Sequence, residues 1–141
     1  MSGKALGVGI LALALGIAGA AYAANEAIPE MLAKYRAEGA KDFDPKRGEA
    51  LWHKQFPAPA DDEEGPKLRS CETCHGTDLT KPGKHYKTGK VIDPMAPSVN
   101  PERFSDPKKI RKWFRRNCKW VLGRECTPQE KGDVLVFLKD K

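Results

Sequence analysis

At 141 residues with 13 glycines and 11 prolines, the chain has room for one loop-rich domain and not for two. Its formal charge of +6 and 31% charged side chains leave little for an aliphatic core, which argues for help from a cofactor or a disulfide.

The N-terminus carries an export pattern. Lys4 supplies a positive start, Ala5 to Ala20 ("ALGVGILALALGIAGA") is apolar or glycine throughout, and "AYA" (Ala21 to Ala23) fits the small-x-small cleavage rule. The apolar run falls short of the ~20 residues that cross a bilayer, so a signal peptide is favoured over an uncleaved membrane anchor. Export makes nucleic acid a poor partner despite the basic balance. The expected organisation is a signal over residues 1–23, an N-terminal helix and linker over 24–44, and a main domain over 45–141.

A first helix is predicted over Ile28 to Gly39, with Met31, Leu32 and Tyr35 on one face. A second is predicted over Asp44 to Phe56, where Asp44 and Pro45 make a cap and first turn and Leu51, Trp52 and Phe56 point to a core. Pro57 to Ser70 ("PAPADDEEGPKLRS") has no apolar period and reads as a loop with solvated acids. The stretch from Gly76 to Arg103 is rich in Gly, Pro, Lys and Thr, and a segment of that length without regular structure is usually wrapped around something. A third helix opens at Asp106 and Pro107. A fourth opens on the capping-box pattern Thr127, Pro128, Glu130 and buries Val134, Leu135, Phe137 and Leu138. The expected fold is all-α with long loops.

"CETCH" (Cys71 to His75) is the attachment signature for c-type haem. Two thiols spaced in this way reach neighbouring vinyl groups of one porphyrin, and the histidine beside them turns its imidazole to the iron. Its other ring nitrogen is expected to donate to a backbone carbonyl. A zinc site needs a second close pair of ligands. Cys118 and Cys126, with seven residues between them, fit that poorly and are free to pair with each other. A thiol-exchange motif needs a βαβ context, which this sequence lacks.

The far side of the iron is contested. Met95, in "DPMAPS", is a sulfur ligand of the electron-transfer kind, and the loop between it and His75 is long enough to pass the haem edge. His53 and His85 are further candidates, each with a surface role as the simpler reading. Asn117 follows Ile110, Trp113 and Phe114 at i, i+3, i+4 and i+7, so an amide ends an apolar stripe on the third helix. Such an amide either bonds its own helix backbone or faces the iron. A bond between Cys118 and Cys126 would pin it in place and contribute ~2–3 kcal/mol by loop closure.

From Arg47 onward the sequence resembles the sphaeroides haem protein family of small c-type cytochromes. The matching elements are "RGEALW", "SCETCHGTDLT", "TGKVIDPMAPS", "PERFSD", "RNCKWVLGREC" and "CTPQEKGDVLVFL". The resemblance implies a class I cytochrome c-like helical fold around one covalent haem c. It matches Cys71 and Cys74 to the thioether cysteines, His75 to the proximal iron ligand, Asn117 to a distal ligand that leaves on reduction, and Cys118 and Cys126 to a disulfide. Met95 stays as the rival distal ligand. Expected partners are a small diatomic ligand such as oxygen or nitric oxide, and a dihaem cytochrome c or membrane cytochrome b as electron donor. Electron transfer and ligand binding are expected rather than a defined turnover reaction. The seven cations from Lys108 to Lys119 read as a solvated helix face that also suits an acidic redox partner.

Overall fold

The computed structural model describes residues 19–60 and 62–141. Most of the expected signal segment lies outside these residues. Helix α1 spans Gly19–Ala37, so the expected cleavage point after Ala23 falls within it. Among the described residues no helix is long and apolar enough to cross a membrane.

The remaining helices are α2 (Pro45–His53), the short α3 (Glu72–His75), α4 (Pro107–Leu122) and α5 (Pro128–Leu138). Two antiparallel ladders of two residues each interrupt them: β1 (Phe56–Pro57) pairs with β2 (Leu68–Arg69), and β3 (Gly83–Lys84) with β4 (Val91–Ile92). The capping chemistry read from the sequence is present. Asp44 accepts from the Lys46 N–H, Asp106 from those of Lys108 and Lys109, and Thr127 with Glu130 closes a reciprocal box at α5. Helix α2 ends earlier than its pattern predicts. Lys54 turns extended, at ψ 130°, which frees Phe56 to pair with Arg69 in the first ladder.

Two adjoining clusters make the core. One gathers Ala27, Met31, Tyr35, Ile110 and Leu135 from α1, α4 and α5. The other gathers Trp52, Leu79, Ala96, Val134, Phe137 and Leu138, with Cys71 and Met95 packed against it. Phe104 and Phe114 touch both clusters and join them. Helix α5 is buried from Gly132 to Leu138 on every side, more than its predicted stripe. Helices α1 and α2 pack against it: α2 crosses it so closely that a Cβ at Gly48 would collide with the Asp133 carbonyl. The ring of Phe43, just before α2, fills the space that a Cβ at Gly132 would need.

An ionic staple locks the α2–α5 crossing. Asp133 is 4% exposed and accepts from the Asp44 N–H (2.8 Å), Arg47 Nε (2.9 Å) and Gln129 Nε2 (3.0 Å). Burial pushes its carboxyl up, and these hydrogen bonds more than offset that, so it lies below the ordinary carboxylate range. The stabilisation is therefore complete above the unfolded value of ~3.9 and is lost as pH falls through the lower folded value. Asp133→Asn is expected to lower stability by about 2 kcal/mol at neutral pH. In denaturant unfolding of the two proteins across pH, that gap should close at the acid end.

Candidate functional site

The CxxCH segment is held on three sides. The Cys71 N–H donates to the Trp52 carbonyl at 3.3 Å, which hangs the motif from the end of α2. The Thr73 hydroxyl reaches back to accept from the Ser70 N–H at 2.9 Å, and the His75 N–H closes the turn on the Cys71 carbonyl at 3.2 Å. Gly76 ends the turn at φ 71°, a conformation that suits glycine. From outside, Gly83 of β3 lies so close to Cys74 and His75 that a Cβ would strike the Cys74 carbonyl.

Cys71 and Cys74 are free thiols. Burial pushes the Cys71 thiol up to about 12. Burial, and then the Arg103 charge, push the His75 imidazole down to about 4, so at neutral pH it is the uncharged ring that binds metals. The His75 ring lies 5.4 Å from that of Trp52. Its Nδ1 is buried and has no hydrogen-bond partner. The sequence led us to expect a backbone carbonyl there.

Two unpaired thiols, an uncharged buried imidazole and an adjoining apolar cluster fit a covalently attached haem. A zinc reading fares worse. Among the described residues no three His, Cys, Asp or Glu side chains converge on a point, and the sulfurs of Cys118 and Cys126 bond each other across a Cα–Cα distance of 5.6 Å.

The distal candidates separate. Asn117 is half-buried on α4, one turn beyond Phe114. Among the described residues nothing hydrogen-bonds its amide, so the reading in which it bonds its own helix backbone is not realised. The predicted stripe needs one correction. Trp113 is 43% exposed and turns outward between Lys112 and Arg116, because a residue three along from Ile110 sits at the edge of the face that Ile110, Phe114 and Cys118 bury.

Met95 is half-buried against the cluster that also holds Cys71, and its neighbour Ala96 is tied to the Leu79 carbonyl at 3.0 Å. His53 is half-exposed and pairs with Glu72 at 2.9 Å. His85 is not a plain surface residue. It stacks on Tyr86 and meets the Trp120 ring edge-on at 5.2 Å, while its Nδ1 accepts from the N–H groups of Lys87 and Thr88.

Sequence reasoning missed Arg69, which is 1% exposed. It also read the acids before it as solvated. Asp62 instead accepts from Arg69 Nη1 at 3.0 Å and from the Tyr86 hydroxyl at 2.7 Å. Those two bonds, Tyr86 first, hold its carboxyl down at about 2. The acidic run beside an arginine was the available signal, but periodicity does not say which acid folds back.

A helical fold with a free CxxCH turn against an apolar wall defines a c-type cytochrome. A family model described as a domain of unknown function, DUF1924, matches residues 38–138. The cytochrome c-type protein SHP of Cereibacter sphaeroides is 41% identical over 128 residues, covering 91% of this chain and 95% of its own. The structure of oxidised SHP, an oxygen-binding cytochrome c, superposes with a TM-score of 0.69 over 79% of this chain and 95% of that one. Cytochrome c'' of Methylophilus methylotrophus is 34% identical over 91 residues, covering 64% of this chain and 60% of its own. Its oxidised crystal structure is 27% identical and matches with a TM-score of 0.65 over 84% of this chain and 94% of that one. Its solution structure, which bears on haem-ligand detachment, gives 0.63. The chain belongs to the SHP family of cytochromes c, and its cofactor is one covalently attached haem c.

The tight seat of β3 on the motif has a measurable consequence. Gly83→Ala should push the ladder off the CxxCH turn and lower the yield of chain that keeps its red colour after denaturation.

Proposed function

We propose that this chain is an exported monohaem cytochrome c in which Asn117 closes the distal side of the oxidised haem and leaves it on reduction, admitting a small diatomic ligand such as oxygen or nitric oxide. The observation that carries the reading is the half-buried Asn117 amide with no hydrogen-bond partner among the described residues, next to the pinning bond between Cys118 and Cys126. SHP being an oxygen-binding cytochrome c supports the ligand class. The haem supplies the redox-active iron and its sixth coordination position.

The residues would divide the work as follows. Cys71 and Cys74 hold the haem by thioether bonds, and His75 gives the proximal nitrogen in its neutral form. The Asn117 oxygen is uncharged and hard, so it suits ferric iron better than ferrous and gives way without a proton transfer. The disulfide keeps the freed amide near its post, so the change reverses on reoxidation. Export would place the mature protein in the periplasm, where the disulfide is stable. There α1 packs on the 45–141 domain through Ala27, Met31 and Tyr35.

The exposed face of α4 offers Lys108, Lys109, Lys112, Arg115, Arg116 and Lys119 around Trp113. It suits an acidic electron donor, of which a dihaem cytochrome c or a membrane cytochrome b is the expected type. Reduction by such a donor should slow as salt rises.

Asn117→Ala tests the central residue. The oxidised wild type should show a low-spin optical spectrum, turn high-spin on reduction and bind carbon monoxide. The variant should be high-spin in both states. A low-spin variant with a methionine–iron charge-transfer band, or a reduced wild type that refuses carbon monoxide, would put Met95 on the iron and leave a plain electron carrier.

A further inference from the structure

Among the described residues the most deeply buried charge lies outside the haem motif proper. Arg69 stands two residues before Cys71, and its guanidinium gathers four acceptors. Nη1 donates to Asp62 at 3.0 Å and to the Trp120 carbonyl at 3.4 Å, Nη2 to the Glu64 carbonyl at 2.9 Å, and Nε to the Pro66 carbonyl at 3.2 Å. The guanidinium also lies 4.4 Å from the centre of the Tyr86 ring, whose hydroxyl bonds the same Asp62. Lys87 closes the arrangement on Glu64 at 3.2 Å. One side chain thus folds the β1–β2 loop around itself and draws in the β3–β4 turn.

The Trp120 carbonyl gives this cluster its meaning. Trp120 belongs to the last turn of α4, where backbone carbonyls lack helical partners and a cation is welcome. It stands one turn beyond Asn117. From the side, His85 presses edge-on against the Trp120 indole at 5.2 Å and stacks on Tyr86. The end of α4 is therefore held by two ties of different kinds. The Cys118–Cys126 bond fastens it to the start of α5, and Arg69 fastens it to the segment that leads into Cys71. The motif for the proximal ligand and the helix of the distal candidate share one buried arginine.

An amide is a weak ligand, so its residence on iron depends on how firmly its helix is held. We propose that Arg69, braced by Asp62 and Tyr86, is a positioning group that holds the C-terminal turn of α4 and sets how readily Asn117 gives up the iron. This rests on the reading of Asn117 as the distal ligand. The acidic loop is thereby a strap across the distal helix rather than a solvated excursion, and Asp62 is its buckle. Loosening the strap makes exchange at the sixth position faster while leaving the haem, its thioether bonds and His75 in place.

The test uses the haem-loaded protein as wild type, Tyr86→Phe and Arg69→Lys. Tyr86→Phe removes one hydrogen bond to Asp62 and keeps the ring. Arg69→Lys keeps the charge and cannot reach all four acceptors. The readout is the rate at which imidazole replaces the native sixth ligand of the oxidised protein, with melting temperature and carbon monoxide binding to the reduced protein measured alongside. We expect Tyr86→Phe to speed replacement about five- to tenfold, the effect of one lost hydrogen bond, and Arg69→Lys to speed it further. Carbon monoxide binding should stay unchanged, because the amide has already left in the reduced state. Melting that falls while the replacement rate stays at the wild-type value would overturn this role and leave Asn117 untouched. A reduced wild type that refuses carbon monoxide would overturn the Asn117 reading and this inference together. Should Arg69→Lys fail to accumulate, Tyr86→Phe alone decides.

Discussion

The crossing of α2 over α5 is the constraint on which the rest of the structure depends. It is possible because Gly48 brings no side chain to the contact, and it is held in one register because Asp133 is met by Arg47, Gln129 and the backbone of Asp44. A charge buried at a crossing tolerates little sliding, since any shift leaves it without partners. That register fixes Trp52, whose carbonyl holds the Cys71 N–H and whose ring stands beside His75. The side of the site that His75 occupies is thus tied to the α2–α5 crossing.

Helix α4 is anchored differently. Its first half packs inward through Ile110, and Phe114 bridges the two core clusters. Beyond Phe114 the anchoring passes to discrete ties: a bond between sulfurs and the polar cluster around Arg69. Dispersed hydrophobic packing resists motion in all directions, whereas a few discrete bonds leave a limited set of alternative positions. This division fits the proposed role, in which the proximal ligand stays while the distal one leaves. The outward Trp113 among the cations of the same helix keeps its other face available to a partner.

Much of the scaffold was legible in the residues. Helix starts at Asp44, Asp106 and Thr127 could be read because capping is local chemistry, decided within four residues. The haem motif was legible for the same reason, since two thiols and an imidazole within five residues share one short turn whatever surrounds them. Errors arose where distant segments decide. Phe56 left its helix for a strand partner beyond the acidic loop, Trp113 turned outward when the helix found its rotation against α1 and α5, and α5 was enclosed on all sides.

The sequence by itself determined the cofactor and the helical class, and it named the candidates for attachment and for the sixth ligand, because each rests on short spacings or on side-chain chemistry. Only the tertiary structure decided which polar groups are buried together. It set Arg69 under the end of α4, turned Asp62 from a solvated acid into its partner, left the Asn117 amide without a hydrogen bond among the described residues, and put Met95 against the wall that holds Cys71. Burial of a charge is a property of what closes over it. In Arg69 that cover comes from the β1–β2 loop, the β3–β4 turn and the end of α4, segments whose meeting no local pattern records.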